Sequence, residues 1–427
     1  MRLALLGADA ESLELVRWAV SAGGHGLVAA YDFGRLGPEV AAIAPRARLD
    51  DHWESLVLGT QADGVIVARA AAGLTHATGI ADDERRADQL RKLAQAGVPM
   101  LVVHPACEAI VGFEIEMIRR DSGGAIVPHA AGSQHPGLLR LAELISGGAD
   151  SPLGPVEQIV LEREQADRGR DAVLTQFARD ASLLRQLVGT IQSVNATGPA
   201  PAPGRDPMGP KLKTLASLAN LSVYVSGDKG LTARWSIGPA LARESARLTA
   251  IGSLGKAVLH MPGGNDWSLE IVGEERTQES FGSYGEAEAT LSRLTDAAAK
   301  THIDETTWLD ACRDQEAAEA IDRSLARGRT IELFGEQHTE EASFKGVMAM
   351  GGCLMLMAAL GVLFVATVVE GLRLPLRDWA VWRYWPIYLL VPIAVFLLLQ
   401  VLQVVVKKEN AGAELRQLVG GNDERAK

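Results

Sequence analysis

Apolar residues in the first 150 positions come in short continuous runs that alternate with stretches of helical spacing. Residues 3–6, 27–31, 64–68 and 100–103 read as buried strands, and 13–21, 53–58, 85–95 and 111–120 as helices. Strand and helix alternating through short connections predict a parallel sheet covered by helices. After Pro155 the pattern changes to longer runs at 156–162, 221–225, 231–237, 246–251, 257–260 and 268–272, which predict a largely antiparallel sheet. Apolar positions at Ala311, Ala318, Ile321 and Leu325 make 310–325 a core-packing helix with an acidic outer face. The Pro-rich stretch 198–210 reads as a surface loop, because proline cannot donate to a sheet ladder.

Towards the C-terminus the apolar content concentrates. Residues 347–369 are 23 positions without a charge, about 35 Å as a helix, enough for the roughly 30 Å hydrocarbon core of a bilayer. A second run, 386–406, is broken only by Gln400, Gln403 and Pro392, which a spanning helix tolerates. Trp379, Trp382, Tyr384, Trp385 and Tyr388 crowd the connection, as aromatic rings do at a head-group interface. The expected organisation is therefore a first domain at 1–125, a second at 126–343, a two-helix hairpin within 344–406 and a polar tail at 407–427. A membrane is the expected partner.

Charge changes the picture in two ways. Of 42 basic and 53 acidic residues, 9 and 6 fall in 344–427, which leaves 33 and 47 in the body before it. A body that acidic repels phosphate backbones, so no nucleic-acid partner is expected. Arg373, Arg377 and Arg383 in the connection stand against Lys345, Lys407, Lys408 and Arg416 outside it, and that balance does not set an orientation. The opening apolar run, residues 3–6, is shorter than a secretory signal requires, so the body and both ends are expected in the cytoplasm and the loop outside. Cys107, Cys312 and Cys353 lie far apart without a C-x-x-C, which fits a reducing compartment. His129 and His135 lack a metal-ligand spacing, and no metal is expected. His135 before Pro136 reads instead as the cap of a helix at 137–146.

A strand, a tight turn, a helix and a second strand ending in an acid form the dinucleotide-binding plan, in which the acid grips ribose hydroxyls. Gly7 and Asp32 fit it. The turn reads Gly7-Ala8-Asp9-Ala10-Glu11-Ser12. Ser12 is small enough to pack, whereas Asp9 puts a carboxylate where backbone should approach a pyrophosphate. The turn reads either as a weak site for a dinucleotide such as NAD or NADP, held through Gly7, Ser12 and Asp32 and opposed by Asp9, or as a Rossmann-like scaffold that binds no cofactor.

Several segments, taken in order, resemble the glucose-fructose oxidoreductase / inositol dehydrogenase / MocA (Gfo/Idh/MocA) family from Met1 to about Leu333. They are Leu-Ala-Leu-Leu-Gly7, Asp32, His52-Trp-Glu-Ser-Leu56, Ala62-Asp-Gly-Val-Ile-Val-Ala68 and Gly97-Val-Pro-Met-Leu-Val-Val-His-Pro105, then His135-Pro136, Leu183-Leu-Arg-Gln-Leu-Val-Gly189 and Trp308 with Ile321-Asp-Arg-Ser-Leu-Ala-Arg-Gly-Arg329. The resemblance implies an α/β fold: a Rossmann-like parallel sheet followed by a mixed α/β domain, whose open, largely antiparallel sheet forms a substrate floor or a homo-oligomer interface. It also implies hydride transfer between a sugar-like carbinol and NAD(P).

The family's E-K-P motif reads Val103-His104-Pro105 here, and its D-x-G-x-H pattern aligns to Thr175-Gln176-Phe177-Ala178-Arg179. Arg179 stays protonated and cannot be a base, though it can hold an anion. Phe177 in place of glycine is expected to fill substrate or nicotinamide space. His104 alone keeps acid/base capacity, with an ordinary pKa near 6.5, against a second reading as a packed or capping histidine. Asp180 reads as a solvated helix charge or a local ion pair. Two functions follow from these residues. The first is a membrane-tethered, oxidoreductase-like module that binds a ligand or assembles with a partner while its cofactor and catalytic motifs have degenerated. The alternative is an active NAD(P)-dependent oxidoreductase with His104 as base and Arg179 holding an anionic substrate.

Overall fold

The computed structural model describes residues 1–22, 24–50, 52–57, 62–69, 80–198, 218–264, 266–282, 284–299 and 306–333, and beyond these 357, 360–369, 371–372, 384 and 390. Residues Met1–Gly335 form one compact unit and Glu336–Lys427 another.

Six parallel strands make the first sheet: β1 (Arg2–Leu6), β2 (Gly26–Tyr31), β3 (Arg48–Asp50), β4 (Gly64–Val67), β5 (Met100–Val103) and β6 (Ile126–His129), in the order β3-β2-β1-β4-β5-β6. β4 and β5 are buried at every position, and β1 at all but its first, because helices cover both faces. Those helices include α1 (Ala10–Ser21), α2 (Gly37–Ile43), α3 (Ile80–Gln95) and α4 (Ala109–Ser122). The sheet takes in β6, which the expected boundary at residue 125 leaves out. The expected helix over 53–58 is a short 3-10 turn, Trp53–Leu56, that plants Trp53 in the core.

α5 (Pro136–Ser146) leads into the second sheet, built from β7 (Val156–Gln165), β8 (Ile191–Thr197), β9 (Ser222–Gly227), β10 (Thr232–Pro239), β11 (Ser245–Gly252), β12 (Lys256–Pro262), β13 (Trp267–Val272), β14 (Arg276–Phe281) and β15 (Ile331–Glu332). Its order is β14-β13-β12-β11-β7-β10-β9-β8-β15, and the pairings are antiparallel except β7 with β10. Burial alternates along β10, β11 and β12. One face packs on α5, α6 (Arg170–Val188) and α8 (Thr306–Arg327), and the other presents polar residues such as Arg247, Glu162 and His260. α7 (Glu286–Ala298) returns to the first sheet beside α1 and β6. α8 packs on α4 and β6 as well as on α6 and β8, so it joins the two sheets. Trp308 Nε1 donates to Gly112 O at 3.1 Å and the Glu319 carboxylate accepts from Ala109 N at 2.8 Å, which caps α4 from across that joint.

Two expectations for α6 are corrected here. Phe177 does not enter substrate space: it is fully buried in the second domain's core, edge-on to Trp235 with ring centroids 5.3 Å apart. Asp180 is not a solvated charge but is 1% exposed, with Arg163 as its ion-pair partner, and it accepts from Trp235 Nε1 at 2.8 Å and Gln176 Nε2 at 3.1 Å. The sheet has an arginine and an indole N–H on its helix-facing side, and this one carboxylate satisfies both.

In the second unit the described helical residues are 357, 360–369, 371 and 390, with 384 in a 3-10 turn. Among the described residues no helix is long and apolar enough to cross a membrane. The rest of 347–369, all of 386–406 except Leu390, and the Pro-rich loop after residue 198 lie outside the described residues.

Removing Asp180 strands the half-buried Arg163 guanidinium and the Trp235 N–H, so Asp180→Ala is expected to cost about 3 kcal/mol. Asp180→Asn, which keeps an acceptor for Trp235, is expected to cost less. Urea unfolding of the purified protein measures both, and an unchanged midpoint in Asp180→Ala would refute the assignment.

Candidate functional site in the crevice of the parallel sheet

Strand order in the first sheet reverses between β1 and β4, and in open α/β sheets ligands bind in the crevice outside the carboxyl ends at such a switch. Five segments end there: Gly7 after β1, Asp32 after β2, Ala68 and Arg69 after β4, His104 after β5 and His129 at the end of β6.

Gly7 has φ +78°, a left-handed conformation that side chains disfavour. A Cβ there would collide with Arg86 Nη2 and meet Ala68 Cβ at 3.2 Å. Asp9 then caps α1. Its Oδ1 accepts from Ser12 N at 2.7 Å, and Ser12 Oγ accepts from Asp9 N at 2.9 Å, a reciprocal capping box. Asp9 Oδ2 accepts from Arg69 N at 2.9 Å. An amide and the positive helix end that would face a pyrophosphate are therefore already engaged by the chain's own carboxylate. Ser12, expected only to pack, is half of that cap.

Asp32 closes β2 with φ 52°. Its two oxygens are held from α3: Arg85 Nη2 lies 3.2 Å from Oδ1, and Gln89 Nε2 donates to Oδ2 at 3.1 Å. The acid stands where the dinucleotide plan requires, with a cation beside it.

On the far side of the crevice, α6 brings Arg179 to the first turn of α1, where it forms an ion pair with Glu11. Arg179 Nε also donates to His104 O at 3.4 Å, and Arg69 Nη2 lies 3.7 Å from Glu11 Oε1. The structure thus brings His104 and Arg179 together, and adds Glu11 and Arg69, which the sequence did not single out. Val103 is fully buried in the sheet core. Among the described residues several buried polar atoms without a hydrogen-bond partner gather in this crevice: Glu11 Oε2, Arg69 Nε, Arg86 Nε, Gln89 Oε1 and His104 Nε2.

Comparison with solved structures identifies the architecture. A UDP-N-acetylglucosamine 3-dehydrogenase from Acidithiobacillus ferrooxidans is 15% identical over 77% of this chain and 98% of its own, with a TM-score of 0.58. A 3-ketoreductase from Actinomadura kijaniata, solved with NADP, is 12% identical over 76% and 97%, with a TM-score of 0.60. An oxidoreductase from Agrobacterium radiobacter, solved with NAD+, L-tartaric acid and magnesium, is 14% identical over 78% and 98%, with a TM-score of 0.57. The chain has the fold of these oxidoreductases. Comparison with protein-family models finds no match, and comparison with curated proteins finds none either.

Within that oxidoreductase fold the groups at the end of β5 have unusual electrostatics. Burial drives the His104 imidazole down to about 3, helped by the cationic Arg179, Arg185 and Arg69. A ring so hard to protonate is a poor proton acceptor at neutral pH. His129, buried against Thr290 with Nδ1 3.3 Å from its hydroxyl, is pushed down to about 4, again by burial first. Burial also raises Glu286, whose Oε1 accepts from Gly132 N at 2.6 Å. His135 caps α5 as expected, accepting from Gly137 N at 3.1 Å, and stacks on Trp267 at 3.9 Å. Among the described residues no group of His, Cys, Asp or Glu is arranged to hold a metal ion.

Both histidines are neutral when folded and protonate near pH 6.5 when unfolded. Their contribution to stability is complete above pH 6.5 and is lost as pH falls towards 4 and 3, about 2 kcal/mol each by pH 5. Stability of the protein is expected to drop between pH 7 and 5, and His104→Asn to remove about half of that histidine-dependent slope. Urea midpoints across the pH range test this, and a wild-type slope in His104→Asn would contradict it.

Proposed function

We propose that the chain is a Gfo/Idh/MocA-type protein whose crevice binds a nucleotide ligand without running the hydride transfer that this fold supports elsewhere. One observation carries the reading: at the two positions where the family resemblance puts a proton acceptor stand a permanently charged arginine, Arg179, tied to Glu11, and a buried neutral imidazole, His104. A nicotinamide nucleotide supplies the hydride acceptor when bound, and a carbinol substrate then needs a base within reach. Asp32 and the orphaned polar atoms of the crevice fit the nucleoside part of such a ligand, whereas Asp9 at the α1 cap opposes its pyrophosphate. NAD or NADP binding is therefore weak.

The reading includes a membrane tether. The uncharged run 347–369 and the second run 386–406 have the length and composition of a spanning hairpin, with the body on the cytoplasmic side. It also includes a homo-oligomer formed through the polar face of the second sheet, which light scattering of the solubilised protein tests. Carbonate washing of membranes is expected to leave the full chain in the pellet, and its release into the supernatant would rule out two spans.

No reduction of NAD(P) above background is expected with polyols, aldoses or inositols. Asp9→Gly removes a repulsion of about 1–4 kcal/mol at 4 Å, depending on the local dielectric, and is expected to tighten NAD(P) binding. Calorimetry and an absorbance screen check both outcomes. Turnover that is lost in His104→Ala would establish the active oxidoreductase instead.

A further inference from the structure

Three arginines surround the turn after β1, and they differ in what holds them. Arg69 lies against Asp9 and Glu11, and Arg179 against Glu11. Arg86, from the second turn of α3, makes no ion pair among the described residues. Its side chain reaches the floor of the crevice between the ends of β1 and β4, where it packs on Gly7 and donates from Nη1 to Leu6 O at a long 3.4 Å. It is 3% exposed, and its Nε has no partner among the described residues. The acids whose fields reach it are Asp32 and Asp9. Asp32 is already held by Arg85 and Gln89, and Asp9 by the capping box and Arg69.

A guanidinium has five donors in a planar fork suited to phosphate. This one uses a single donor weakly, and burying a cation without a counter-ion is costly. A phosphate in the crevice would supply that counter-ion. Gly7 then has a role that its place in a degenerate turn does not suggest, since any side chain there would displace the guanidinium.

We propose that Arg86 is the phosphate-binding residue of the crevice: the diphosphate of a nucleoside diphosphate moiety, its ribose towards Asp32, is held by the Arg86 guanidinium rather than by the amides of the β1–α1 turn. The proposal rests on the reading of the crevice as a nucleotide site. It departs from the usual arrangement at a Rossmann switch point, where the N-terminus of the first helix takes the phosphates.

Calorimetric titration of the full-length, detergent-solubilised protein with ADP tests it in three forms: unmodified, Arg86→Met and Arg86→Lys. The expected result is a Kd at least fivefold higher in Arg86→Met and less than fivefold higher in Arg86→Lys, because lysine restores the charge. A change below fivefold in Arg86→Met, or tighter binding there, overturns the proposal and leaves the nucleotide site standing. A loss of fivefold or more in both variants also overturns it, since it marks a packing role that charge does not rescue. Binding seen only in Arg86→Met shows that the guanidinium blocks the crevice, which again overturns the proposal alone. Absence of ADP binding in all three forms overturns both the proposal and the reading beneath it.

Discussion

The geometry of the crevice hangs on the carboxylate of Asp9 at the first turn of α1. A helix leaves its first amides without intrahelical partners, and in a nucleotide-binding turn glycine leaves them free for phosphate oxygens. Here Asp9 takes one amide for itself, locks Ser12 into the reciprocal bond and draws the Arg69 backbone from the end of β4 onto its second oxygen. One side chain therefore closes the helix end, pins the β4 exit against the β1 exit and fixes the width of the crevice between them. Glu11, two residues on, is then aimed across the crevice at α6.

That second carboxylate explains why the catalytic positions look as they do. Arg179 occupies the place where this fold's dehydrogenases are expected to keep an acid/base histidine. Its charge is compensated by Glu11 from the other domain. The same positive charge lies beside His104 and reinforces the burial that keeps the imidazole neutral. An arginine at 179, a glutamate at 11 and an unprotonated histidine at 104 form one consistent electrostatic arrangement. Changing any one of the three would leave the others mismatched.

The sequence discloses what depends on local pattern and conceals what depends on partners. Every strand of the first sheet with a continuous apolar run was legible, because both of its faces are buried. The three-residue β3, the polar edge strand β14 with its run Arg-Thr-Gln-Glu-Ser-Phe281, and β6, placed by expectation in the next domain, were not. Their identity comes from the neighbour they pair with. Gly7, Asp9, Asp32, His104 and Arg179 were singled out from motif positions, and the fold gathers them around one crevice. Arg69, Arg86 and Gln89 were not singled out because nothing local distinguishes them: α3 carries Arg85, Arg86 and Arg91 beside its buried Leu90 and Leu93, and only the fold brings one of those arginines under the turn of β1. Phe177 was misread for the same reason. Its place in a family motif pointed to the crevice, while its helix face pointed to Trp235 and the core.

Charge on two length scales decides what such a crevice can attract. The body carries 33 basic against 47 acidic residues, and this excess repels an approaching anion at distances beyond direct contact. Salt at physiological strength screens that field over about 8 Å, whereas a guanidinium buried between strand ends is screened much less. The long-range term therefore slows anionic ligands without abolishing their affinity, and the local term at Arg86, pushed down to about 10 by burial yet still charged at neutral pH, is what remains at contact. An acidic protein whose Arg86 has no ion-pair partner among the described residues would favour a compact anion that can reach that depth over polyanions too broad to enter. The diphosphate of the proposed nucleotide ligand meets the first condition and a nucleic-acid backbone would fail the second, so one charge distribution accounts for both expectations.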